Sequence, residues 1–137
     1  MLIVIVLKFM RKKNGERVRI KVDRADQLFS KWIRTRDNWT CQRCFTKYEE
    51  GSQGLHNSHF WGRGHENTRF EPDNCDALCF GCHRYFTSNP GEYKDWKIGR
   101  LGAKRYDTLM IQANTYKKKD RKMEAIVWKK ALELINT

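Results

Sequence analysis

Two cysteine pairs, Cys41-Gln42-Arg43-Cys44 and Cys79-Phe80-Gly81-Cys82, stand 34 residues apart between Cys44 and Cys79. Each C-x-x-C turn aims two thiolates at one ion, and two such turns complete a tetrahedral Cys₄ zinc site. That ties residues 41–44 to 79–82, so the chain between them must leave and return. With four thiolates the coordination shell is closed, and this zinc is expected to be structural. The fifth cysteine, Cys75, could stand in for Cys79 only by breaking the paired spacing, so it reads as a small buried residue. An odd number of cysteines and the absence of a secretory pattern also argue against a disulfide scaffold.

At 137 residues, with 39% hydrophobic content, the chain is expected to form one domain over 1–137, which a metal staple would stabilise. The apolar run Met1–Met10 is shorter than the roughly 20 residues a bilayer span needs, and no basic leader precedes it. It reads as a buried strand, with Lys12-Lys13-Asn14-Gly15 as a turn and Arg17–Val22 as an alternating return strand. The expected organisation is a β-hairpin over 1–22, a zinc-knuckle core over 23–91 and a basic helical extension over 92–137. The protein is expected to be soluble and cytoplasmic, with no membrane partner.

Asp23 or Asp26 can cap a helix to about Arg36, with Leu28, Phe29, Trp32 and Ile33 on its apolar face. Leu55–Trp61 and Ala77–Leu78 read as short strands, and the stretch 65–74 as a loop in which Pro72 forbids regular structure. A helix over about 81–87 is stopped at Ser88-Asn89-Pro90-Gly91. Helices over 92–98, 103–113 and 117–136 follow, with a break at 99–102. The last carries Met123, Ile126, Val127, Ala131, Leu134 and Ile135 at helical spacing, which predicts a core-facing stripe. The fold class is α+β.

The formal charge is +12 and the pI about 9.7, with the basic excess in residues 1–55 and 92–137 and the stretch 56–91 close to neutral. Such a chain is expected to bind nucleic acid. Arg11-Lys12-Lys13, Arg84 and the cluster Lys117, Lys118, Lys119, Arg121 and Lys122 would grip the backbone in a salt-sensitive way.

Between and just after the knuckles lie His59, Asn74 and His83. A strand–loop–strand–helix unit sets His59 against His83. A divalent ion on His83 would polarise a scissile phosphate, neutral His59 would accept a proton from the attacking water, and Asn74 would tie the loop that orients it.

Ser58-His59-Phe60, Asp73-Asn74 and Leu78-Cys79-Phe80-Gly81-Cys82-His83 resemble the three parts of the HNH, or ββα-metal, endonucleases, and the flanking knuckles resemble their zinc-containing branch. The wider pattern from Leu28 to Cys41, with Arg63, Thr68-Arg69-Phe70 and Asp73-Asn74, is similar to phage recombination-type HNH proteins of the lambda NinG group. The resemblance spans roughly residues 26–96. It implies a ββα-metal core and hydrolysis of DNA phosphodiesters with Mg²⁺ or Mn²⁺, with His59 as general base and His83 as metal ligand.

Two positions depart from the family. A carboxylate that often precedes the general base is replaced by Ser58, and a ligand four residues after the helical histidine by Thr87. His56, on the same strand face as Ser58, could serve as a ligand, or water could fill the gap. Arg63, His65 and Arg69 would overhang the ion. Arg63 and Arg69 would clamp phosphate oxygens, or Arg69 would pair with Glu71 or Asp73, and His65 would either bind phosphate as they do or stabilise the transition state. Cutting both strands with one site would need two copies, as in a homodimer, or two visits. The rival reading is a zinc-ribbon DNA-binding protein without catalysis.

Overall fold

The computed structural model describes residues 20–136, a mixed α+β fold with one two-stranded antiparallel sheet and five α-helices among those residues. The expected N-terminal hairpin falls almost wholly outside them. At its described end, Ile20–Val22 form no strand.

Helix α1 (Arg24–Arg36) begins at a capping box: Asp23 accepts from the Asp26 amide at 3.0 Å, and Asp26 accepts from the Asp23 amide at 2.9 Å. Both orphan amides of the first turn are thereby satisfied. Its buried face, Ala25, Leu28, Phe29 and Ile33, supplies half of one core cluster. At its far end the Asp37 carboxylate accepts from the Ala77 amide at 2.8 Å, fixing the helix to the sheet.

Strand β1 (Leu55–His59) pairs with β2 (Cys75–Cys79) in a register that sets Leu55 opposite Cys79 and His59 opposite Cys75. The sheet is sandwiched. Asn57 and His59 meet Ser30 and Phe29 of α1. His56 and Ser58 meet the other side, through His83 of α2 (Phe80–Ser88) and Tyr93 of α3 (Pro90–Leu101). All five residues of β2 are buried, so it extends beyond the expected Ala77–Leu78, while β1 stops two residues short of Trp61.

Pro72 does not forbid local order. It takes the first position of a 3₁₀ turn, Pro72–Asn74, where its missing amide costs no hydrogen bond. Pro90 likewise starts α3 instead of only ending α2, and the helix runs through Gly99 to Leu101. The break falls at Gly102, whose φ of 82° suits glycine alone. Helix α4 (Ala103–Ala113) follows.

Helix α5 (Arg121–Ile135) is capped by Asp120, so Lys117, Lys118 and Lys119 precede it in a loop. It packs on α1 through Trp128, whose ring centroid lies 4.6 Å from that of Phe29. The expected stripe is a correction. Met123, Ile126, Val127, Leu134 and Ile135 are exposed, and the core face is Trp128 and Leu132 with Ala125 and Ala131 against it. Among the described residues no helix is long and apolar enough to cross a membrane.

Candidate functional site

The four knuckle thiols converge, with all Sγ atoms of Cys41, Cys44, Cys79 and Cys82 within 4.8 Å of one another. Four sulfurs at about 2.3 Å from a common ion would stand about 3.8 Å apart. The Cys44 and Cys79 sulfurs are 3.8 Å apart. The cluster could hold a zinc ion, and the thiol set suits it.

The local sequence builds each half. Phe45, at φ 62°, turns the chain so that its amide reaches the Cys41 carbonyl at 2.8 Å. Cys79 is the N-cap of α2, its sulfur accepting from the Cys82 amide at 3.4 Å. Hydrogen bonds from the Thr46 side chain and then its backbone draw the Cys44 thiol down to about 6, which favours the thiolate that binds metal. Cys75 stands apart, fully buried, its thiol pushed up by desolvation.

The knuckle brings α2 against β1, and there His56 Nδ1 lies 3.1 Å from His83 Nδ1. Two nitrogens bound at right angles to one ion at about 2.1 Å would sit about 3 Å apart, so the pair fits a shared divalent ion. The sequence reading sets His59 against His83. In the structure His56 takes that place, because alternation along β1 carries His59 to the α1 face. Burial, then the neighbouring His56 and Arg63 charges, lower the His83 pKa and favour its neutral ring.

His59 is packed near Phe29, and its Nε2 lies 2.9 Å from the Arg69 carbonyl. Desolvation foremost, then the charge of Arg63, lowers its pKa to about 4. Arg63 acts on both His59 and His83, which approach it from different faces of the strand. Neither family-divergent position reaches the histidine pair through its hydroxyl. Ser58 is buried with Oγ 2.7 Å from Tyr93 Oη, and Thr87 donates to the His83 carbonyl at 2.9 Å.

The His56–His83 pair opens onto a pocket of about 420 Å³, also lined by Ser30, Arg34, Asn57 and Arg63. Arg34, Ser30 and Asn57 were not visible as site residues in the sequence. They come together only because α1 crosses β1, and no local spacing signals it.

The other expected site residues are placed as follows. Asn74, fully buried, accepts from the Trp61 amide at 2.8 Å and donates to the Trp61 and Thr68 carbonyls at 2.9 and 3.0 Å. His65 Nδ1 is 3.1 Å from the Ala113 carbonyl, at the end of α4. Arg69 is engaged by neither Glu71 nor Asp73. It donates to Asp26 Oδ1 at 2.8 Å and to the Lys21 carbonyl at 2.8 Å, with Glu66 3.8 Å away. Arg121 is tied to Asp23 at 3.1 Å and Glu66 at 2.6 Å, and the Lys119 amide donates to Glu66 at 3.2 Å. Arg84, Lys117, Lys118 and Lys122 are exposed.

The model of one protein family, described as Bacteriophage Lambda NinG protein, matches residues 8–135. No curated protein and no solved structure matches the chain.

Proposed function

From the premise that the chain belongs to the lambda NinG family, we propose that it is a metal-dependent endonuclease hydrolysing DNA phosphodiester bonds at the His56–His83 pocket. The β1–β2–α2 unit is then a ββα-metal core of the HNH type, clamped by zinc on Cys41, Cys44, Cys79 and Cys82. The observation that carries the reading is the convergence of His56 and His83 at 3.1 Å on a pocket shared with arginines.

His56 and His83 are the residues that would hold a divalent ion. When bound, that ion supplies Lewis-acid polarisation of the phosphate and stabilises the leaving oxygen. No carboxylate lines the pocket, so two imidazoles favour Mn²⁺ over the oxygen-seeking Mg²⁺. His59 is the general base. Its Nε2–H donates to the Arg69 carbonyl, which leaves the lone pair on Nδ1, and its depressed pKa keeps it neutral at physiological pH. In the hydrolytic step water attacks phosphorus and the P–O bond to the leaving oxygen breaks. The proton the water sheds would reach His59, outside the pocket lining, by way of intervening solvent, and the leaving oxygen takes up a proton from solvent. Asn74 holds the loop carrying Arg63 by its bonds to Trp61 and Thr68.

A second reading is DNA binding without cleavage, favoured by the position of His59 outside the pocket lining and by the engaged hydroxyls of Ser58 and Thr87. Plasmid nicking with no added ion, Mg²⁺ or Mn²⁺ decides between them. The expected result is Mn²⁺-supported nicking, lost in His59→Ala and His83→Ala. Full DNA binding with no nicking under any ion would leave the second reading standing.

A further inference from the structure

The arginine half of the pocket is only partly accounted for by the structure around it. Arg34 Nε and Arg63 Nε are both buried without a hydrogen-bond partner, and Arg63 Nε forms only a long ion pair with Asp26 Oδ1, at 3.7 Å. Asn57 is 9% exposed, and its Oδ1 is likewise buried with no partner, while its Nδ2 donates to Ser30 Oγ at 3.1 Å. All three residues line one cavity, and each carries a buried polar atom without a hydrogen-bond partner, an arrangement that is costly unless a ligand draws these side chains into new hydrogen bonds. We propose that Arg34 and Arg63, with Asn57, form a binding site for a phosphate group of the DNA backbone beside the His56–His83 pair.

The chemistry matches an oxyanion. No aspartate or glutamate lines the pocket, and Arg34 makes no ion pair among the described residues. Its guanidinium lies 5.2 Å from the Trp39 ring centroid, a contact that holds the fork in place before a ligand arrives. Burial lowers the Arg34 pKa, a cost that a bound anion offsets. Ser30 Oγ can donate as well as accept, so the Asn57 amide can turn over and offer Nδ2 to a phosphate oxygen. Arg69, whose fork is spent on Asp26 and the Lys21 carbonyl, is unsuited to this role, and Arg34 replaces it in the clamp.

This site deepens the nuclease reading and rests on it for the identity of the phosphate, but binding can be measured without cleavage. The probe is a labelled 20-base-pair duplex, titrated with the zinc-loaded full chain without added Mg²⁺ or Mn²⁺ over a series of salt concentrations. Arg34→Gln is expected to weaken binding about tenfold and to make the log–log salt slope shallower by about one. Asn57→Asp, isosteric and able to keep its bond with Ser30, places a carboxylate beside the arginines and is expected to weaken binding at least as much. It decides the matter if Arg34→Gln fails to fold. Lys31→Gln, on the exposed side of α1, serves as the charge control and is expected to stay within twofold of wild type.

Wild-type affinity and slope in both pocket variants, or a Lys31→Gln effect equal to that of Arg34→Gln, would overturn the proposal. Weakened binding in the pocket variants with no nicking by wild type would sink the nuclease reading and leave the phosphate site intact. Nicking with unchanged binding in both variants would do the reverse.

Discussion

His59 stores a pH dependence in the fold that can be isolated by His59→Gln, which keeps a donor for the Arg69 carbonyl and cannot ionise near neutrality. The folded pKa of His59 is lowered to about 4 from an ordinary 6.5. The unfolded chain therefore binds a proton that the folded chain refuses, and the stability His59 contributes is lost as pH falls from 6.5 towards 4. Over the whole window the loss is on the order of 3 kcal/mol, at 1.36 kcal/mol per unit. At pH 5.5 it already reaches about 1.4 kcal/mol, because the unfolded histidine is then about ten-elevenths protonated. That smaller figure scarcely depends on how far below 5.5 the folded pKa lies. The assay is urea unfolding of wild type and variant, both zinc-loaded, at pH 7.5 and 5.5. Acid effects on the thiolates and on His56, His65 and His83 are common to both chains and cancel in the difference. Wild type is expected to lose about 1.4 kcal/mol more than His59→Gln between the two pH values. Parallel losses would show that His59 is not held neutral in the fold, and the assignment of a neutral base would fall with it.

Native mass spectrometry is expected to show one tightly bound zinc per chain, lost together with cooperative unfolding in Cys44→Ser and retained in Cys75→Ser. A folded, zinc-free Cys44→Ser would contradict a structural role for the ion. Asn74→Ala removes three hydrogen bonds and leaves the Trp61 amide and the Trp61 and Thr68 carbonyls without this partner, at a cost of about 3 kcal/mol. Thermal or urea unfolding checks this, and a loss under 1 kcal/mol would mean that the loop is held elsewhere.

What was legible in the sequence was what depends on short spacing. The knuckles follow from C-x-x-C, the start of α1 from Asp23 and Asp26, and the shared face of His56 and Ser58 from the pleat of a strand. Pro72 and Pro90 depart from the expectation that proline ends regular structure, because both occupy a first helical position that suits it. Helix α5 misled because it is apolar on two faces. Periodicity alone does not say which meets the core, and the large ring of Trp128, seated against Phe29 and Trp32, decides it. Arg69 leaves its expected place, and Arg34 lines the pocket, for a tertiary reason. Asp26, needed at the α1 cap, also captures Arg69 from 43 residues away, while Arg34 is carried to the pocket by the crossing of α1 over β1. No local pattern records either event.

The central claim is that a second metal site, separate from the closed thiolate cluster, is built on His56 and His83. Electron spin-echo spectroscopy of Mn²⁺ added to the zinc-loaded chain tests it directly, since imidazole nitrogen bound to the ion leaves a characteristic modulation. Modulation from two imidazoles is expected in wild type, reduced to one in His56→Ala and in His83→Ala, with the bound zinc unchanged. Mn²⁺ that shows no nitrogen coupling, or coupling that survives both substitutions, would contradict the account.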